Sequence, residues 1–269
     1  MRAAIAARRP LVLRRAASRW ACVARWKGGA AALRARAGDA RHPLRCFVSQ
    51  NGQFFLDGTW DARAVLTASM SRDACLAELL DDDAPALRGW RSRYAVDDAF
   101  DARAPRGGLA RDVPAYPSLL RAFGARARAV RRQLFVARGP TTTQLHRDAY
   151  DNLFVCCSGT RAWTLAHRAH DIARDPPDGV SARFQPPPEG ADGDADGEGE
   201  TDHVEFSRVV LAAGDALFLP SGWWHRVQGD GADPARTSAA INWYFEPPHE
   251  EPEGTREAAE PRSPDIAFA

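Results

Sequence analysis

The chain has 269 residues, with 36 basic and 35 acidic side chains and a formal net charge of +1. All of the basic residues except Lys27 are Arg. This balance gives no whole-chain electrostatic argument for nucleic-acid binding, and no apolar run approaches the roughly 20 residues that a transmembrane helix needs.

The N-terminal segment is basic, with nine Arg, one Lys and no acid in its first 38 residues. This composition is typical of an organellar transit peptide, but the segment also fits a folded structure. Pro10–Leu13 predicts a short strand, and residues 33–38 predict a helix that ends in glycine. Because Trp20 and Trp26 are unusual in a peptide destined for removal, we favour the folded interpretation.

The next part of the chain predicts a hairpin and two helices. Residues 44–56 contain two apolar runs around Asn51-Gly52, a strong signal for a hairpin turn. Apolar spacing predicts a helix over residues 71–80 and a shorter one over residues 117–124.

From residue 133 onward the pattern changes to short apolar strands separated by turns. The predicted strands are 133–137, 152–157, 161–165, 204–211, 216–219, 224–228 and 238–245. Ser158-Gly159-Thr160 predicts a hairpin turn between two of them. Cys156 and Cys157 are adjacent on a strand and should point to opposite faces. The pattern predicts an all-β barrel or sandwich with helices before it.

Two segments lack core-forming side chains. Residues 186–202 carry seven acids and no base, which predicts a disordered surface insertion. Ca²⁺ binding there has no support from EF-hand spacing. Residues 247–269 are rich in Pro and Glu and predict a disordered tail.

The five cysteines are irregularly spaced and include no CxxC pair. An odd number without such spacing argues against a disulfide framework and against a zinc site. We therefore expect reduced thiols in an intracellular protein, cytoplasmic or nuclear, with an organelle as the alternative.

The chemically informative pattern is a His-x-Asp pair followed much later by a second His. His146 and Asp148 are two residues apart, so on a strand they face the same side. His225 ends the segment 214–225, which contains Gly-Asp, Leu-Phe-Leu-Pro and Trp-Trp. Two His and one carboxylate on one face leave coordination positions open, as in non-haem Fe(II) oxygenases.

With these motifs the sequence resembles the JmjC-type, cupin-fold 2-oxoglutarate oxygenases. The similarity is to the small hydroxylase branch that includes the asparaginyl hydroxylase of hypoxia-inducible factor. It extends from the entry strand at residues 9–13 to the last strand at residues 240–245. The resemblance implies a mainly β fold, a double-stranded β-helix with N-terminal helices packed outside. It also implies one domain over residues 9–246.

The resemblance also implies the site residues. The Fe(II) ligands and catalytic centre would be His146, Asp148 and His225. The positions that line the 2-oxoglutarate pocket would be Thr143, Asn152, Arg161 and Asn242. In this branch the residue that anchors the distal carboxylate is usually Lys, and here Arg161 occupies that position. A guanidinium can grip a carboxylate through two parallel hydrogen bonds, but it is larger than an ammonium group.

We therefore expect a dioxygenase with Fe(II) as cofactor, 2-oxoglutarate and O₂ as co-substrates, and a protein side chain as the hydroxylated group. The enzymatic alternatives are hydroxylation of a modified tRNA base and demethylation of N-methyl-lysine. The alternatives outside this activity are a non-catalytic JmjC-like binding module and a metal cupin without 2-oxoglutarate. We expect no membrane partner, while the substrate and the oligomeric state, with a homodimer as one alternative, stay open.

Overall fold

The structure is a computed structural model. It describes residues 1–37, 45–49, 52–54, 80–81, 88–89, 91–97, 100, 108–114, 118–127, 131–174, 182, 204–229, 236–246 and 267–268. Most of the helix expected at 71–80, the acidic insertion at 186–202 and most of the tail from 247 lie outside these residues. These expectations, and the domain bounds 9–246, therefore stay predictions.

Short strands dominate the described part of the chain. The helices are α1 (Arg2–Ala6), α2 (Ala21–Trp26) and α3 (Gly29–Ala37), with 3₁₀ helices at Gly108–Asp112 and Ser118–Ala127. The strands are β1 (Leu11–Leu13), β2 (Arg45–Ser49), β3 (Gln53–Phe54), β4 (Ser92–Asp97), β5 (Arg131–Arg138), β6 (Thr142–Thr143), β7 (His146–Arg147), β8 (Asp151–Ser158), β9 (Thr160–Ala166), β10 (Phe206–Ala212), β11 (Ala216–Leu219), β12 (Trp224–Gly229), β13 (Thr237–Phe245) and β14 (Ala267–Phe268). None of the described helices is long and apolar enough to cross a membrane.

The strands form two sheets of mostly antiparallel pairs. One sheet has the order β14-β1-β11-β8-β13-β5-β4-β2, and the other has the order β10-β9-β12-β6-β3 with β7 paired to β12. Two pairs, β1 with β14 and β3 with β6, are parallel. This mainly β arrangement is that of a double-stranded β-helix, so the predicted fold class is confirmed.

The larger sheet has an apolar layer on each of its two faces, and strand β8 contributes side chains to both. All of its residues are buried, because both faces are covered. Phe154 and Cys156 belong to the interior cluster between the sheets, which also contains Trp163 and Leu217. Cys157 belongs to the layer between this sheet and the N-terminal helices. The two cysteines therefore point to opposite faces, as predicted from strand periodicity.

The N-terminal segment is part of this fold. β1 pairs with β11 through Leu11 and Phe218, and Ile5, Trp26 and Leu33 are buried in the layer outside the larger sheet. The folded interpretation of this segment is therefore supported, and the N-terminal helices pack outside the barrel as predicted.

Among the described residues, the two strands of the hairpin predicted over residues 44–56 do not pair with each other. β2 pairs with β4 in the larger sheet, whereas β3 pairs with β6 in the smaller one. The turn at Gly52 has φ +80° and its N–H donates to Ser49 Oγ, so the turn itself is present. A local turn signal does not specify which strands pair, and here the chain crosses between the sheets.

Gly159 closes the hairpin between β8 and β9 with φ +71°. A Cβ at this position would lie 2.8 Å from Ser238 Cβ and 2.9 Å from the Thr237 carbonyl oxygen. We expect Gly159→Ala to lower the free energy of unfolding by about 3 kcal/mol, because left-handed backbone strain adds to a steric clash. Chemical denaturation measures this change.

Gly29→Ala is the matched control. Gly29 also has positive φ, at +64°, but an added Cβ there would meet nothing within 4 Å. We expect a loss of about 1 kcal/mol from backbone strain alone. Equal losses for the two variants would contradict the close approach at Gly159.

Candidate functional site

The predicted triad comes together at one end of the smaller sheet. β7 and β12 pair so that His146 lies opposite His225, with ring centroids 4.2 Å apart. Asp148 follows β7 directly, and its Oδ2 lies 3.6 Å from His225 Nε2. One donor atom from each residue lies within 4.8 Å of the others. The spacing argument from His-x-Asp therefore agrees with the geometry, although whether the three bind a metal stays a prediction.

Both imidazoles are oriented by the backbone. His146 Nδ1 lies 2.7 Å from the carbonyl oxygen of Gln144, and His225 Nδ1 lies 3.0 Å from that of Trp223. A carbonyl oxygen only accepts hydrogen bonds, so each Nδ1 carries a proton, and in the neutral ring Nε2 then keeps its lone pair. This is the tautomer in which Nε2 can ligate a metal.

The charge state of His225 also suits a ligand. Burial lowers the pKa of His225 to about 4, and the neighbouring His146 lowers it as well. The Asp148 carboxylate and the Trp223 carbonyl act in the opposite direction and offset only part of the shift. His225 is therefore neutral near pH 7, which is the form that binds metal.

The ligand atoms that the three residues offer indicate which metal ion the site fits. Two neutral imidazole nitrogens and one carboxylate oxygen form the facial arrangement typical of non-haem Fe(II) sites. A structural zinc site would need four protein ligands, usually with Cys, and the three free cysteines in the described residues lie outside the triad. The residues present therefore fit Fe(II) with open coordination positions.

Arg161 lies on the same interior wall, farther along β9. Leu165 pairs with His225 and Gly229 pairs with Arg161, so β9 and β12 carry both the ligand and the guanidinium. Arg161 is only 3% exposed. A Cβ at Gly229 would lie 3.5 Å from Arg161 Nη1, so the absence of a side chain there leaves space beside the guanidinium. A buried cation therefore faces the barrel interior on the triad's own sheet.

The two threonines near this cation have different partners. Thr143 Oγ1 accepts a hydrogen bond from the Val227 N–H at 2.9 Å, which ties it to β12. Thr141 and Arg161 both line the space beside Gly229, because a Cβ built there would lie 2.2 Å from Thr141 Oγ1 and 3.5 Å from Arg161 Nη1. Thr141 Oγ1 is buried without a hydrogen-bond partner among the described residues. Sequence reasoning named Thr143, whose place in the co-substrate pocket stays a prediction, and it did not name Thr141.

The predicted asparagines lie on neighbouring strands of the larger sheet. Asn152 on β8 is paired with Tyr244 on β13. Asn242 lies two residues before Tyr244, so the two side chains are on the same face of β13. The Asn242 Nδ2 donates to the Tyr244 hydroxyl at 3.1 Å. In both asparagines Oδ1 is buried and has no hydrogen-bond partner within the described part of the chain. Buried amide oxygens without partners are costly, and a polar ligand would satisfy them.

Two aromatic residues join the site without having been predicted. The Trp163 ring stacks on His225, with centroids 5.5 Å apart and an interplanar angle of 27°. Burial, and to a lesser degree the charge of Asp148, raise the pKa of Tyr244 well above its ordinary value. Its hydroxyl therefore keeps its proton near the triad. Both were detectable in principle, since Trp163 and Tyr244 are two residues from Arg161 and Asn242.

We expect His225→Ala to weaken Co(II) binding by more than about 100-fold, because it removes a ligand rather than an outer contact. Isothermal titration calorimetry with the metal-free protein measures this. His170→Ala is the control, since His170 lies on the loop after β9 and outside the triad, and it should bind as the wild type does. Equal affinity of the two variants would contradict the assignment.

Comparison with known proteins identifies the family. Residues 1–251 match the model of the cupin-like domain, and no curated protein matches the chain. The solved structure of E. coli ycfD is 14% identical with a TM-score of 0.48, over 94% of this chain and 59% of that one. A structure of the Escherichia coli ribosomal oxygenase YcfD is 16% identical with a TM-score of 0.44, over 90% and 49%. The chain thus spans between half and three fifths of those proteins. Because the domain match covers most of its residues, this chain belongs to the cupin-like domain family, in agreement with its resemblance to JmjC-type cupins.

Proposed function

We propose that the protein is an Fe(II)- and 2-oxoglutarate-dependent dioxygenase that hydroxylates a side chain of another protein. The observation that carries the proposal is the convergence of His146, Asp148 and His225 within 4.8 Å inside a barrel that also buries a guanidinium. A metal centre alone would need only the triad, and the planar guanidinium on the same wall is suited to donate two hydrogen bonds to the carboxylate of an anionic co-substrate.

The three residues of the triad would hold Fe(II) through His146 Nε2, His225 Nε2 and a carboxylate oxygen of Asp148. Bound Fe(II) supplies the redox chemistry that couples oxidative decarboxylation of 2-oxoglutarate, giving succinate and CO₂, to insertion of the second oxygen atom of O₂ into a C–H bond. The Nδ1 hydrogen bonds to backbone carbonyls keep both rings at a fixed angle before metal arrives.

Arg161 would bind the distal carboxylate of 2-oxoglutarate. The planar guanidinium can donate two parallel hydrogen bonds to a carboxylate. Because Arg161 is only 3% exposed, its attraction to the carboxylate would be stronger than that of a solvent-exposed pair. The Thr141 hydroxyl beside it has a free donor for the same carboxylate. Asn152 and Asn242 would contact the polar atoms at the metal end of the co-substrate, where Tyr244 also lies.

The apolar interior would exclude water from the reacting centre. Phe154, Trp163, Leu165 and Leu217 belong to one buried cluster between the two sheets. Removal of water strengthens the electrostatic contacts to the anionic co-substrate and suppresses side reactions. The choice of a protein side chain as substrate follows the resemblance to the small hydroxylase branch.

The central test is succinate release by purified protein supplied with Fe(II), 2-oxoglutarate and O₂. We expect Arg161→Ala to raise the KM for 2-oxoglutarate by about 10- to 100-fold, since a charge-assisted contact is lost. Arg161→Lys should retain more of the affinity because it keeps the charge.

Arg208→Ala is the matched control for these variants. Arg208 is exposed on β10, the strand that pairs with β9, and its loss should change the KM by no more than roughly twofold. An unchanged KM in Arg161→Ala would show that Arg161 does not anchor the co-substrate. Absence of turnover in the wild type, together with no binding of Fe(II) and 2-oxoglutarate, would contradict the proposed function.

The substrate class is tested in cells. We expect lysate proteins from wild-type cells to include at least one peptide heavier by one oxygen atom than in cells that carry His146→Ala. Quantitative mass spectrometry of the two lysates makes the comparison. If no protein differs while a modified tRNA nucleoside does, the substrate is nucleic acid instead.

A further inference from the structure

Arg8 in the N-terminal segment bonds to the two chain segments that adjoin the candidate ligands. It forms an ion pair with Asp151, shortly after Asp148, and a hydrogen bond with Ser221, shortly before His225. Arg8 Nη1 lies 2.5 Å from Asp151 Oδ1 and 2.7 Å from Oδ2, and Arg8 Nη2 donates to Ser221 Oγ at 2.6 Å. The side chains of Arg8 and Asp151 are only 12% and 0% exposed. We call Arg8, Asp151 and Ser221 the Arg8 bridge.

Backbone contacts complete the bridge. The Ser221 N–H donates to Asp151 Oδ1 at 2.9 Å, and the Trp223 indole N–H donates to the Arg8 carbonyl oxygen at 3.1 Å. Arg8 has φ +53°, a left-handed conformation that is costly for a residue with a side chain. Such strain persists only where surrounding contacts determine the conformation, and the hydrogen bonds around Arg8 and Asp151 do so.

The bridge is close to the triad along both chain segments. Asp151 follows Asp148 by three residues, and Ser221 precedes His225 by four. The loops also contact each other directly, because the Gly222 N–H donates to the Asp148 carbonyl oxygen at 2.8 Å. A shift of either loop at the bridge would therefore move a candidate ligand.

We propose that Arg8 is a positioning residue of the metal centre, which holds the loop of Asp148 and the loop of His225 at the separation that metal binding requires. This inference rests on the metal site of the proposed function. Ligand distances in metal sites tolerate only about 0.2 Å, so the loops that carry the ligands need a fixed separation. A buried ion pair is a poor source of net stability compared with apolar packing, and its best-attested use is to fix one geometry.

The test is Co(II) binding by the metal-free full-length protein, followed by visible absorption, which reports both affinity and coordination geometry. Arg8→Lys keeps the charge but loses the planar fork that bonds Asp151 and Ser221 together. We expect its Kd for Co(II) to rise about tenfold or more, with an altered visible spectrum. Thermal unfolding of the metal-free variant measures the purely structural effect separately.

Arg14→Lys is the matched control. Arg14 also ties the N-terminal segment to the barrel, through Asp215 Oδ2 at 2.7 Å, but Asp215 precedes β11 and lies on neither ligand loop. We expect this variant to keep the wild-type Kd and spectrum, even if both variants unfold at a lower temperature.

The inference is overturned if Arg8→Lys binds Co(II) with the wild-type Kd and spectrum, or if Arg14→Lys weakens binding as much. Should Arg8→Lys not fold, Ser221→Ala decides, because it removes one bond of the bridge: a raised Kd supports the inference and an unchanged Kd overturns it. If the wild type binds no Co(II), the metal site of the proposed function has failed. If the wild type and Arg8→Lys bind equally, only the role of Arg8 has failed.

Discussion

The antiparallel pairing of β12 with β7 on one side and β9 on the other is the constraint on which the candidate site depends. The register with β7 sets His146 opposite His225, and the register with β9 sets Gly229 opposite Arg161. A slip by one residue would turn these side chains to the other face of the sheet. Because β12 lies inside its sheet, partners on both sides hold the register. One strand thus determines both the triad and the position of the buried cation.

Under the proposed function, the polar residues of the interior form the surface that would bind the co-substrate. Arg161, Asn152 and Asn242 are nearly fully buried, and apolar residues at these positions would avoid the cost of desolvating charge and amide groups. The unpartnered amide oxygens add to that cost. A bound dicarboxylate with a keto group would supply charge and polar atoms at both ends of this surface. Water bound with the proposed co-substrate would supply hydrogen-bond donors for the two amide oxygens that have no partner among the described residues.

Local patterns in the sequence predicted much of this arrangement. The alternation around Cys156 and Cys157, the turn at Gly159 and the His-x-Asp spacing depend on neighbouring residues only, and each agrees with the structure. The crossing between sheets after Gly52 and the Arg8 bridge depend on contacts between residues far apart in the chain. A single sequence read by itself contains no signal for such pairings.

The most direct measurement is anaerobic visible absorption of the protein with Fe(II) and 2-oxoglutarate. A keto acid chelated to Fe(II) gives a metal-to-ligand charge-transfer band, and we expect this band to appear only when both Fe(II) and 2-oxoglutarate are present. His225→Ala should abolish the band. Arg161→Ala should need a higher concentration of 2-oxoglutarate to give the same band intensity. A wild-type protein that binds Fe(II) tightly but gives no such band with 2-oxoglutarate would contradict the account.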